Sequence, residues 1–209
     1  MNLYFHITKS IKKSKEIKSL IKTAAQNMSG VFPLKDIDVV VVSGKTPLGV
    51  TGNSLYKNTV MLIVDQKYSW GKIKKNIQPT FYHELHHLAR IKTVGYGKTL
   101  EEAIITEGLG IAMEEEMGGN ISMWNKFKNQ KEFLFVYSTF QKKKENQKYN
   151  HDQWFFGEKK FPNWAGYKLG YILVSLYCKK TNVKPSRLFN IPAKDILSNI
   201  STDVEEIYK

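Results

Sequence analysis

The chain has 209 residues, 42% hydrophobic and 24% charged, an ordinary composition for a soluble globular protein with room for one sizeable core or two small ones. It has no apolar run near the roughly 20 residues that cross a bilayer, its single cysteine (Cys178) excludes an intrachain disulfide, and its start, MNLYFHITKSIKKSK, reverses the order of a secretory signal, so a cytoplasmic location is expected. The formal net charge is +13, but among 32 basic residues only Arg90 and Arg187 are arginine and the lysines are dispersed, which points to a solvated lysine-rich surface and not to a specific nucleic-acid site.

In chain order, residues 2–8 (NLYFHIT) alternate as a strand does. Residues 11–28 place Ile11, Ile17, Leu20, Ile21, Ala24 and Met28 at helical spacing with lysines between. IDVVVVS, 37–43, is β-branched and reads as a buried strand, as does TVMLIVD, 59–65. Between them GKTPLGVTGNSLYKN is either a loop or the first arm of an irregular hairpin with 59–65.

A helix follows from the low 70s to about 93, beginning or kinked at Pro79. VGYGKT breaks it, and Thr99 with Glu102 forms a capping box for the next helix, which runs to about Met117 and stops at Gly118-Gly119. Another helix lies near 130–144, then a polar, aromatic loop to about 163, then a strongly apolar helix at 165–180. Short helices form the tail. No repeat or low-complexity linker divides the sequence, so residues 1–209 read as one domain. Strands first and helices afterwards predict an α+β fold.

Three of the five histidines fall in FYHELHHLARI, 81–91. On a helix His83 and His87, at i and i+4, stack on one face, where two imidazoles can hold one metal ion. Glu84 sits beside the first histidine, placed to take a proton from a water whose pKa the metal has lowered. Chance supplies H-E-x-x-H in roughly one chain of this composition in a hundred. Phe81, Tyr82, Leu85 and Leu88 make the helix largely apolar, and buried imidazoles and carboxylates need partners.

A catalytic zinc takes three protein ligands and keeps one position open. In the next helix the stripe Leu100, Ala103, Ile104, Glu107, Ile111 strands Glu107 on an apolar face, where a carboxylate needs a cation or a metal. Glu101 and Glu102 lie in the first turn, where the helix dipole favours acids. Glu114 to Glu116 form a terminal run expected to be solvated. Gly108 and Gly110 flank Glu107 and allow close backbone approach, as Gly166 and Gly170 do on the later helix. His151 is the alternative third ligand. His86, at i+3 from His83, points partly aside and is a supporting group, a substrate-side group or plain packing.

HELHH followed by E-G-L in the next helix resembles the gluzincin branch of the zinc metallopeptidases, in which a later glutamate is the third ligand. More closely, HELHHLAR at 83–90, TEGLG at 106–110 and WAGYKLGYILV at 164–174, with the glycine-bearing segment before TVMLIVD, resemble the predicted Zn-dependent proteases known as YjaZ-like proteins. The resemblance implies a zincin-like fold: a small mixed sheet, an active-site helix and a backing helix. It implies one zinc per chain on His83, His87 and Glu107, with Glu84 as general base. Thermolysin-like relatives carry an aspartate four residues after the ligand glutamate to orient a zinc histidine, and here that position is Ile111. The shared G-Y-x-x-G-Y pattern points to Tyr171, or Tyr167, as the donor to the oxyanion, with Trp164 as core packing.

The expected function is therefore zinc-dependent peptide hydrolysis by a metal-activated water, with a peptide or protein as substrate. The strand near 59–65 is the expected edge for an extended peptide. The alternative is a lysine-rich binding module for nucleic acid or another anionic partner, with a structural metal or none.

Overall fold

The computed structural model describes residues 1–56, 58–158, 161–201 and 204. Among them are four strands, seven α-helices and a 3-10 turn at Pro185–Arg187, a mixed α+β chain as expected. None of these helices is long and apolar enough to cross a membrane. The chain forms two compact units, Met1–Thr93 with Met113–Gly119, and Val94–Ala112 with Asn120–Lys209.

The first unit holds the sheet, whose strand order is β1-β2-β4-β3. Strand β1 (Asn2–Ile7) leads through helix α1 (Ser14–Asn27) to β2 (Asp36–Ser43), which pairs parallel with β1. The segment after β2 takes the hairpin form. β3 (Val50–Tyr56) runs antiparallel to β4 (Thr59–Val64), Gly52 opposite Leu62, with an irregular register between Asn53 and Tyr56. β4 also pairs parallel with β2. Both sides of β4 are thus hydrogen-bonded, which overturns the expectation that the 59–65 strand offers an edge; β3 occupies that edge instead.

Alternate residues of β2 and β4 (Ile37, Val39, Val41; Val60, Leu62, Val64) are buried. Strand periodicity puts each set on one face. Ile17, Ile21, Ala24 and Ala25 form the buried stripe of α1.

Helix α2 (Trp70–Thr93) packs along β3, β4 and α1. It runs unbroken through Pro79 and does not begin there. The Asn27 amide donates to the Tyr82 hydroxyl at 3.0 Å and the Gln78 amide to the Leu20 carbonyl at 3.0 Å, fixing α2 on α1. From Phe81 to Arg90 every residue of α2 is buried, so its polar side chains there are held inside the protein.

Helix α3 (Leu100–Glu116) begins at the expected capping box. The Glu102 amide donates to the Thr99 hydroxyl, and Glu102 Oε2 accepts from the Thr99 and Lys98 amides. It ends at Gly118 in the left-handed region (φ 79°). The Gly119 amide donates to the Glu114 carbonyl and the Gly118 amide to the Glu115 carbonyl, the Schellman pattern. This last turn, from Met113, belongs to the first unit.

In the second unit α4 (Gln130–Lys143), α5 (His151–Phe155), α6 (Ala165–Thr181) and α7 (Ala193–Ile200) pack with the start of α3 around Ile104, Phe133, Phe140, Trp154 and Leu173. The five-residue α5 lies inside the stretch expected to be loop, too short to show a period. The expected glycine contact is present. A Cβ on Gly108 would lie 2.2 Å from the Gly170 carbonyl carbon, and one on Gly170 would lie 2.2 Å from the Ile104 oxygen, so α3 and α6 cross backbone to backbone.

Candidate metal centre

Helix α2 delivers His83 and His87 one turn apart, their rings perpendicular with centroids 4.5 Å apart. Glu84 joins them. One potential ligand atom from each of His83, Glu84 and His87 lies within 4.8 Å of the others, and the three residues are only 8%, 5% and 4% exposed. Two imidazole nitrogens and a carboxylate gathered out of water are a donor set that suits zinc.

The tautomer of His83 is set from outside α2. Its Nδ1 lies 2.7 Å from Glu114 Oε1, in the last turn of α3. A carboxylate only accepts, so Nδ1 carries the hydrogen, and in the neutral imidazole Nε2 is then the nitrogen with the lone pair. Such a carboxylate–histidine pair orients metal ligands generally. The expectation that Glu114 is solvated is therefore wrong. The Schellman turn anchors the backbone around Glu114, and the side chain turns inward to His83. Glu115, its neighbour, is exposed as expected. Ile111 offers His83 no acceptor; the carboxylate that meets it stands seven positions after Glu107 instead of four.

Glu84 is confined by a glycine. A Cβ built on Gly52 of β3 would lie 2.4 Å from Glu84 Cγ and 2.5 Å from its Oε1, so a side chain at position 52 and the carboxylate compete for one space. The edge strand thus passes directly beside the proposed base. The sequence offered only a run of glycines at 44, 49 and 52 as a signal. His86 is fully buried and meets the Phe32 ring edge-on at 5.8 Å, so it is not exposed to a substrate.

The remaining expected residues belong to the second unit. Glu107 is buried, 6% exposed, and its Oε1 accepts from the Tyr96 hydroxyl. Tyr149 also feels it: burial pushes the Tyr149 phenol above its ordinary pKa, and the charges of Glu107 and then Glu102 add to the shift. Tyr167 and Tyr171 are partly buried on α6. Tyr167 lies in an aromatic cluster with Trp124, Phe155 and Trp164, with ring centroids 5.1, 5.1 and 5.9 Å away. Trp164 is half-buried at the start of α6 with φ 63°, an aromatic packing residue as expected. His151, the alternative ligand, is exposed and stacked on Phe155 at 4.5 Å. Tyr96 was not singled out in the sequence; the signal there was an aromatic residue between two glycines in VGYG.

No curated protein and no solved structure matches the chain. Residues 12–198 match the family described as Predicted Zn-dependent protease (DUF2268). That span takes in α2 with its histidines and all of α3 and α6, so the chain belongs to the family of predicted Zn-dependent proteases.

Proposed function

We propose that the chain is a zinc metallopeptidase of zincin-like fold, acting as one domain. The observation that carries this is the buried His83–Glu84–His87 cluster with Nδ1 of His83 bonded to Glu114. His83, His87 and Glu107 would hold one zinc per chain. The family membership supports zinc. Support for Glu107 is its burial and its position seven residues before Glu114, two turns along one helix and therefore on the same side of it.

Zinc, when bound, supplies a Lewis acid that lowers the pKa of water and polarises a carbonyl. Glu84 takes the proton of the attacking water on its carboxylate and delivers it to the leaving amine. Gly52 leaves the room in which that carboxylate turns. The substrate is an extended peptide that pairs with the edge of β3, whose backbone runs past Glu84. The phenol of Tyr171, or of Tyr167, donates to the carbonyl oxygen as negative charge builds there.

The test is cleavage of a diverse peptide mixture by the purified chain, with and without a chelator, beside Glu84→Gln. Cleavage that stops with chelator, returns with zinc and is nearly absent in Glu84→Gln at full zinc content is the expected result. Near-normal turnover by Glu84→Gln would sink the general-base assignment.

A further inference from the structure

We infer that Tyr96 is the positioning residue for Glu107, holding its carboxylate in the orientation from which it ligates the metal. This rests on the assignment of Glu107 as a zinc ligand. A glutamate carboxylate is poorly fixed by itself, because rotation about its last torsion is broad. Here the phenol of Tyr96 donates to Oε1 and limits that freedom.

Tyr96 is itself held. Gly95 and Gly97 on either side have φ of 86° and 114°, the left-handed region where a side chain is strained. A Cβ on Gly97 would lie 2.3 Å from Glu102 Cβ, so the loop is pressed onto the first turn of α3. The Thr106 hydroxyl donates to the Tyr96 carbonyl at 3.0 Å, and Glu102 Oε2 accepts from the Lys98 and Thr99 amides at 2.7 and 2.9 Å. The loop is thus tied at Tyr96 and at its C-terminal end to the helix that carries Glu107. Tyr96 and Glu107 form one preassembled piece, and the VGYG break is a holder for a phenol as well as a turn.

The test is zinc affinity by competition with a chromophoric chelator, with the cobalt-substituted absorption spectrum and the apo melting temperature measured on the same samples. Tyr96→Phe keeps the ring and removes the donor. Partners of this kind are worth about 10–100-fold in metal affinity. Tyr96→Phe should lose affinity in that range and shift the cobalt bands, with apo melting little changed. Thr106→Val, which frees the Tyr96 carbonyl but leaves both Tyr96 and Glu107 intact, should lose part of the same affinity. That variant carries the test if Tyr96→Phe folds poorly. Glu107→Gln should lose more than either, and adding Tyr96→Phe to it should cost nothing further. If Glu107→Gln binds zinc normally, the ligand assignment falls and the inference with it. If Glu107→Gln binds weakly while Tyr96→Phe binds normally, or if the two losses add in the double variant, Tyr96 does not act through Glu107 and the inference alone is overturned.

Discussion

Glu114→Ala removes the acceptor that fixes His83 and tests whether the metal centre is built as the geometry indicates. The bond is 2.7 Å long between side chains only 11% and 17% exposed, so water replaces it poorly. A hydrogen bond to a charged group contributes about 1.5–3 kcal/mol. At 1.4 kcal/mol per factor of ten, its loss should weaken zinc binding by about 10–100-fold. The range agrees with what orienting carboxylates contribute in other metal sites. Stability of the apo protein should respond differently. Glu114 to Glu116 lie at the C-terminus of α3, where the helix dipole disfavours negative charge by about 0.3–1 kcal/mol each. Removing one acid there offsets part of the lost hydrogen bond, so zinc affinity should fall far more than apo melting temperature. The assay is chelator competition at fixed pH and ionic strength, with thermal melting of the metal-free protein. Glu115→Ala, at the exposed neighbouring position, should leave zinc affinity unchanged. Wild-type zinc affinity in Glu114→Ala would refute the orienting role and with it the assignment of Nε2 of His83 as the metal-facing atom.

Gly52→Ala places a methyl 2.4 Å from Glu84 Cγ and must push the carboxylate aside. Misplacement of a reacting group by about 1 Å costs up to about 10²-fold in rate, so kcat should fall at least about tenfold while zinc content holds; unchanged turnover would show that the base tolerates displacement. Gly108→Ala puts a Cβ 2.2 Å from backbone of Gly170, which cannot rotate away. Overpacking costs about 1–3 kcal/mol, alanine returns about 1 kcal/mol of helix propensity, and a net loss in chemical denaturation is expected; a gain would mean that α3 and α6 separate freely. Either Tyr167→Phe or Tyr171→Phe should lower kcat at least about tenfold with zinc content and melting temperature unchanged, and normal turnover by both would leave that face of α6 as packing.

What could be read from the sequence was local. The i, i+4 histidines with Glu84, the Thr99–Glu102 box, the Gly118-Gly119 stop and the span of α6 each depend on residues within a few positions of one another, where helix geometry alone fixes the outcome. The backbone approach at Gly108 and Gly170 was legible as well, because a glycine in an apolar helix loses stability unless something needs the space. Long-range pairing hid the rest. Nothing local in GVTGNSLY says that it is an edge strand, since its pairing with β4 depends on which side of β4 is left open by β2. Glu114 looks like one of three terminal acids until it is paired with a residue 31 positions away.

The misreading of Glu114 and the lack of any reading of Gly52 have a common physical origin. Both support residues of α2 from other elements, and neither has a chemical signature of its own: one contributes empty space and the other an acid where acids are ordinarily solvated. In the proposed mechanism the HExxH residues supply the chemistry, but a helix fixes only where their Cα atoms stand. Whether the Glu84 carboxylate has room, and which nitrogen of His83 carries the hydrogen, is decided by a strand some 30 residues earlier and a helix end some 30 residues later. A chain with the same α2 but a side chain at position 52, or with an apolar residue at 114, would keep the motif and lose the geometry. The motif by itself therefore proposes His83 and His87 as ligands, while the space beside Glu84 and the carboxylate on His83 are what make the reading of an active centre specific to this protein.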